Sequence, residues 1–416
     1  ALCAELDLPF RRTGQYLCFR SRWLLPAGFF AQFYFRMTGI RCRYMTRRAL
    51  HKAEPELSAQ LKGALLFPDA GVVSPYLLTI ALAENAIENG ARVSLDTAVT
   101  GMEVQDGLIR AVRTNRGTLR PRVVVNAAGV FAEELAGMAG DRFFSIHPRR
   151  GTNAILDPKA SHLLMGIASS YGSSAVRRQH TKGGGLVRTV DGNLLCGPDA
   201  VETIEKENFA TRPESIRRNF DKQRLASPML SESDIITYFT GVRAATYEED
   251  FIVRRGLFTH NLVHAAGIQS PGLTAAPAIA EDVAAMAVAL LAETKPVEDN
   301  PAFQPRRRGI VCPKNMSFEA RSALIAADPA YGEIICRCEQ ISRGEIRDAL
   351  HRRLPCDTID GVKRRVRPGM GRCQGAFCGP QVLRLIAEEK GLRLTEVSKS
   401  GPGSELLLAE DKYEEL

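Results

Sequence analysis

The sequence predicts a mixed α/β (α+β) fold in three parts. Three observations carry that expectation. Residues 74–95 read as a helix running into a strand, residues 143–265 as a series of antiparallel strands, and residues 334–395 as a small helical module around four closely spaced cysteines. At 416 residues the chain is too long for one ordinary core. The expected division is a larger unit over residues 1–295. Its antiparallel sheet lies mainly over 143–260 and is interleaved with segments 70–140 and 261–292. A linker (296–333), the cysteine module (334–395) and a polar tail (396–416) follow.

Composition sets outer limits. Apolar residues make up 45% and charged residues 25%, which excludes disordered and fibrous classes. The nearest apolar run, "AAMAVALLA" at 284–292, is about half the roughly 18 residues that span a bilayer. "ALCAELDLPFRRTG" lacks the apolar stretch of a signal peptide. It reads as the middle of a helix, so the chain is expected to continue on the N-terminal side of Ala1. Six of the ten cysteines (Cys3, Cys18, Cys42, Cys196, Cys312 and Cys356) are scattered, as reduced thiols of a cytoplasmic protein would be. The net charge of +8 is compatible with anionic substrates, anionic lipid or nucleic acid. Peripheral contact with the inner membrane face therefore stays open. Much of the excess lies between Arg343 and Arg372; its "KRRVR" run lacks interleaved aromatics, so no nucleic-acid partner is expected.

The elements follow in order. Residues 1–75 mix short helical and strand patterns with many arginines. In "SPYLLTIALAENAIENGARVSL", Ser74 suits an N-cap and Pro75 the first helical position. Leu77, Leu78, Ala81, Leu82 and Ala86 form the expected apolar face, Gly90 stops the helix, and Arg92–Leu95 should be a strand. Asp106-Gly107 predicts a tight hairpin. "RVVVNAAG" reads as a buried strand over Val123–Val125 ending in small residues before the helix of "VFAEELAGMAG". Such a strand end lets backbone approach a dinucleotide, and tight strand–helix packing is the alternative. A helix is expected near 213–226. A long Ala-rich helix should begin near Thr274, its N-terminus preceded by Gly267 and Gly272 and suited to an anion or a carbonyl oxygen.

The cysteine pattern is C-x-C, 34 residues, then C-x4-C: Cys336, Cys338, Cys373 and Cys378. Structural zinc prefers C-x2-C knuckles. A 2Fe–2S cluster, with two thiolates on each of two irons, tolerates other spacings. Disulfides suit a reducing compartment poorly, and unliganded structural thiols remain a third alternative. Gly369, Gly371, Gly375 and Gly379 would let backbone amides face cluster sulfurs. Ser342 with Glu345 predicts a capping box, and Pro380 the first position of the last helix. Both cysteine pairs then precede helix N-termini, which favour an anionic cluster.

The stretch "IICRCEQIS…DTIDGVKRRVRPGMGRCQGAFCGP" resembles the bacterioferritin-associated-ferredoxin-like 2Fe–2S domain. It is most similar to the form fused to FAD-dependent anaerobic glycerol-3-phosphate dehydrogenase-like proteins. "GVVSPYLLTIALAENAIENGARV", "VVVNAAGVFAEELA", "GLVRTVDGNLLCGPDA" and "HAAGIQSPGLTAAPAIAEDV" resemble the D-amino-acid-oxidase-type flavoprotein fold. The resemblance covers nearly the whole chain. It implies an FAD-binding, Rossmann-like domain with an antiparallel-sheet substrate domain, FAD and a 2Fe–2S cluster as cofactors, and Cys336, Cys338, Cys373 and Cys378 as cluster ligands. It places Val99 at the adenine side of FAD, Ala128 and Gly129 along the cofactor, and Gly267, Gly272, Leu273 and Thr274 at the flavin end. Arg243 matches the family's substrate-anion anchor, a role its planar fork suits, and Arg149 is a second candidate contact. The family opens with a strand and G-x-G-x-x-G; no such motif occurs here, so that βαβ unit would precede Ala1.

The activity implied is oxidation of a small anionic substrate, foremost sn-glycerol 3-phosphate to dihydroxyacetone phosphate. Electrons would pass through the cluster to a quinone or a protein acceptor subunit. A 2-hydroxy-acid or amino-acid dehydrogenase and a non-catalytic electron-transfer subunit are the alternatives. His147, His180 and His264 are candidates for the base, each with an ordinary structural role as the alternative.

Overall fold

The computed structural model describes residues 1–171 and 184–409. Its largest sheet has nine strands among the described residues. The long strand Ile146–Leu156 lies between Ile235–Thr246 and Leu194–Gly197, with Val201–Glu202 also paired to its first half. The sheet continues through Gly185–Arg188 and Ile167–Tyr171 to Gln15–Phe19, Gly63–Phe67 and Arg43–Thr46. The pairing of Ile167–Tyr171 with Gln15–Phe19 is parallel, whereas its other ladders run antiparallel. The arginine-rich first 75 residues thus lend three strands to the sheet expected mainly over 143–260.

One face of this sheet is dry. Ala154, Leu156, Leu186, Leu194 and Cys196 pack with Leu50, Leu163 and Leu164, and with Phe220 from the helix Pro213–Arg224. Phe220 is fully buried, so truncating it to Ala costs about 3–5 kcal/mol. Alternate residues of Ile146–Leu156 point the other way. His147, Arg149 and Gly151 stand opposite Ala245, Arg243 and Gly241 on that second face.

A smaller sheet joins Val124–Asn126 in parallel to Leu262–Ala266, which pairs antiparallel with Ile252–Arg255. The Asp106-Gly107 hairpin forms as expected between Val99–Gln105 and Leu108–Thr114, both turn residues having positive φ. The helix Gly272–Ala292 packs on the smaller sheet. It is long and apolar enough to cross a membrane by length and composition, which a count of uninterrupted apolar residues misses because Pro277, Glu281 and Asp282 interrupt the run.

Three local expectations change. Arg92–Leu95 forms no strand, and Val93 and Leu95 are exposed, because no described strand offers that segment a ladder. On the helix Pro75–Glu88, Leu78 and Ala81 are buried but Leu82 and Ala86 are not. The third buried side chain is Glu84, turned toward arginines of the C-terminal part. The span expected as a linker contains a helix, Phe318–Ala327, capped by Ser317.

The cysteine module has its own core: Ile335, Ile341, Ile346, Val362, Val382 and Ile386 are buried together. Arg343–Leu350 starts with the expected Ser342–Glu345 capping box. The last helix, Gly379–Lys390, uses Cys378 as N-cap and sets Pro380 one position later than expected.

Candidate active site and electron-transfer centre

The four thiols gather into two pairs. Cys338 Sγ lies 3.7 Å from Cys373 Sγ, and Cys336 is hydrogen-bonded to Cys378. Cys336 and Cys378 are buried, whereas Cys338 is exposed. The hydrogen bond from Cys378, with amides of Gly369 and Glu339, lowers the Cys336 thiol to about 6, and Cys378 as donor is pushed up. Amides of Gly375 and Phe377 lower Cys373. The glycines act as the sequence suggested: a Cβ on Gly371 would sit 2.4 Å from the Cys338 Cβ, and Gly369 and Gly375 have φ of +80° and +93°. Among the described residues no three His, Cys, Asp or Glu side chains converge on one ion. Two irons take thiolates in two pairs.

This loop docks on the large unit through polar contacts. Arg367 pairs with Asp191 at 2.7 Å and Glu339 at 2.9 Å. Arg372 reaches Asp157 at 3.0 Å, and the Tyr76 hydroxyl meets Met370 Sδ at 3.5 Å. Asp191 and Asp157 flank the large sheet, so the thiols are held beside it.

On the sheet's second face, Arg243 donates to the carbonyls of Asp199 (2.9 Å) and Arg150 (3.3 Å) and makes no ion pair among the described residues. Its guanidinium lies over Gly151, where a Cβ would meet Nη2 at 2.2 Å, so a side chain at 151 would displace it. Burial, opposed by Asp199 and reinforced by Arg149, pulls the Arg243 pKa down. An arginine stays charged in practice, so this is a cation that an incoming anion relieves. Arg149 differs from the expectation of a second substrate contact. Glu202 (2.9 Å) and Glu249 (2.6 Å) already hold its buried guanidinium, and it braces the strand pair.

The loop before the helix Gly272–Ala292 reaches the end of the strand Ile235–Thr246. Gly267 has φ +65°, and its Cα edge lies so close to Thr246 and the Asp250 carbonyl that a Cβ would clash. Gln269 donates to Glu249 at 2.6 Å, tying this loop to Arg149 and its strand. Leu273 and Thr274 are exposed in the first helical turn. The Gly129–Phe131 turn, which follows Ala128, contacts both Ile235–Thr246 and Ile146–Leu156. The Gly129 turn and Gly267 thus lie beside the strand pair that carries Arg243, against its Ile146, Ala244 and Thr246 side. Val99 lies apart at the start of the meander, its side chain packed against Ile109, Leu262 and Val124.

The histidines separate. His264 is fully buried between Phe143 and Phe144, 3.2 Å from Asp141 and 3.3 Å from Asn126 Nδ2. Asn126 also donates to the Ala132 carbonyl at 2.8 Å and accepts from the Ala128 amide, so this group fixes the turn at Gly129 and is closed to substrate. His147 stacks on Tyr247 at 4.7 Å, contacts Glu202 and shares the face of Arg243. His180 lies outside the described residues. Sequence reading missed Glu202, Glu249, Gln269, Asn126 and Asp141. Only the polar Asn126 within an apolar strand gave any signal.

An arginine without an ion pair among the described residues on a sheet face, and two thiol pairs in a loop docked beside that sheet, are the two candidate sites. Residues 1–286 match the family model described as FAD dependent oxidoreductase, and residues 334–388 match the BFD-like [2Fe-2S] binding domain. The chain belongs to this family of FAD-dependent oxidoreductases and carries a fused 2Fe–2S domain. A glycerol 3-phosphate dehydrogenase from Caloramator mitchellensis is 36% identical over 99% of this chain and 84% of its own length. Subunit A1 of the anaerobic glycerol-3-phosphate dehydrogenase of Haloferax volcanii is 23% identical over 85% of this chain, which spans only 65% of that relative. In fold, the chain is similar to the FAD-bound L-alpha-glycerophosphate oxidase of Mycoplasma pneumoniae, with a TM-score of 0.63 and 22% identity over 72% of this chain and 77% of that one.

The residues present fit both groups. The paired thiols and inward amides suit a binuclear cluster, and the open glycine-lined helix end suits the flavin end of FAD.

Proposed function

We propose that the chain oxidises sn-glycerol 3-phosphate to dihydroxyacetone phosphate and passes the electrons to a quinone or a protein acceptor at a membrane surface. The observation that carries this reading is the Arg243 guanidinium, half-buried, free of any ion pair among the described residues and open over Gly151 and Gly241. When bound, FAD supplies hydride acceptance from a carbinol carbon, and the 2Fe–2S centre carries electrons singly.

The chain's own residues provide the rest. Arg243 uses two donors on backbone carbonyls, which fixes the plane of its fork, and keeps the others for a phosphate. The network Gln269–Glu249–Arg149–Glu202 holds the helix N-terminus and the arginine face at a fixed separation, so substrate is oriented rather than merely bound. His147, on the same face and beside Glu202, is the residue placed to take the hydroxyl proton. The test is a substrate panel with a dye acceptor. Saturable reduction by glycerol 3-phosphate is expected, with little from 2-hydroxy acids or amino acids of similar size. Preference for a carboxylate substrate would assign Arg243 to that alternative.

A further inference from the structure

The geometry points to the helix Leu24–Met37 as an interfacial anchor that lies in the headgroup layer of an anionic phospholipid bilayer. This deepens the membrane-side acceptor proposed above and is independent of the substrate. The helix, "LLPAGFFAQFYFRM", has only Gln32, Arg36 and the Tyr34 hydroxyl as polar side-chain groups. Its inner face, Leu24, Leu25, Ala31 and Phe35, packs on Phe19, Leu65 and Phe67. Gly28 allows the close approach, since a Cβ there would meet the Phe19 ring at 2.6 Å. The opposite face should then be polar in a helix that ends at water. Instead Trp23 (91% exposed), Phe30 (68%), Phe33, Tyr34 and Met37 (88%) project outward, with Ile40 just beyond. Such a contiguous apolar patch calls for an occupant.

Charge identifies the occupant. Residues 8–53 contain nine arginines, one lysine and no Asp or Glu. That segment carries +10 in a chain of net +8, so the remainder is slightly acidic. Arg12 and Arg41 are answered by Asp69. Arg22, Arg36, Arg43, Arg47 and Arg48 are exposed and have no carboxylate partner among the described residues. Beside the helix C-terminus, Arg36, Arg41 and Arg43 line a cleft of about 290 Å³ with Leu66 and Pro68, a lining that suits a phosphate with acyl chain attached. Aromatic side chains at one level with arginines around them are the pattern of an interfacial helix on anionic lipid.

Trp23 is the chain's one tryptophan and therefore a built-in probe. The full-length protein is titrated with vesicles of phosphatidylcholine alone or with about 30 mol% phosphatidylglycerol. Emission and quenching by brominated acyl chains are read without substrate. The expected result is a blue shift and quenching on the anionic vesicles, weakened about tenfold or more in Phe30→Ser/Phe33→Ser/Met37→Ser and in Arg36→Glu/Arg43→Glu. No shift with either vesicle overturns the proposal. So does a shift that tracks protein concentration without lipid, which makes a second copy the occupant, or equal binding to neutral vesicles. Dehydrogenase activity can be lost with vesicle binding intact, or the reverse, so the two readings fail separately.

Discussion

Arg352 of the cysteine module places Nη2 2.6 Å from Oε2 of Glu84 on the helix Pro75–Glu88. The same buried carboxylate receives Arg307 at 2.5 Å, from the stretch between the two domains. One acidic residue therefore gathers three parts of the chain. Arg353 and Glu88, one turn on, repeat the contact at 2.9 Å.

Glu84→Gln leaves two guanidinium groups facing a neutral amide in a partly buried site. We expect a loss of about 3 kcal/mol, read as a lower midpoint in chemical denaturation. Burial pushes the Glu84 carboxyl up, but the hydrogen bonds from Arg352 and Arg307 outweigh it and hold it below its ordinary 4.5. A depressed carboxylate contributes stability above the unfolded value and loses it as pH falls through the folded one. Wild type should therefore lose stability below about pH 4.5 more steeply than the Gln variant. Parallel slopes would remove Glu84 from the account.

Arg243→Ala should lower kcat/KM for glycerol 3-phosphate about 100-fold or more while leaving flavin content unchanged. Arg243→Lys should recover only part, since an ammonium lacks the fork. An unchanged KM would show that the phosphate binds elsewhere.

Cys336→Ser and Cys378→Ser should abolish iron binding and the cluster's visible absorption, because each removes half of a buried pair. Cys356→Ser, at a buried thiol outside the two pairs, should retain iron. Zinc without iron in the wild type would refute the cluster.

His264→Ala should cost stability rather than chemistry alone, by about 2–4 kcal/mol, as it empties a buried site against Asn126 and Asp141. Burial, against the pull of Asp141, lowers the His264 pKa. The unfolded chain then takes up the proton first, so stability falls as pH drops below about 6.5, and the Ala variant should lack that part of the slope.

The pairing of the four cysteines and the Asp106-Gly107 hairpin were legible because their signals are local: spacing, glycine and turn pairs. Ser342–Glu345 and Asp106-Gly107 needed no distant partner. Arg92–Leu95 misled because a strand exists only where a neighbour offers a ladder, and pattern alone does not reveal the neighbour. Glu84 was invisible for the converse reason. Its face reads as surface until Arg307 and Arg352, more than two hundred residues away in sequence, arrive to neutralise it. The resemblance singled out Arg243, with Arg149 as a second candidate. Only the paired register showed that one is held by Glu202 and Glu249 while the other stays open.

The central claim is most directly tested by anaerobic titration of the purified full-length protein with sn-glycerol 3-phosphate, following visible absorption with flavin and iron assayed on the same sample. The account predicts that substrate bleaches both the flavin and the iron–sulfur absorption, and that Arg243→Ala needs far more substrate to do so. Iron–sulfur absorption without flavin, or a flavin spectrum that glycerol 3-phosphate leaves unchanged, would contradict it.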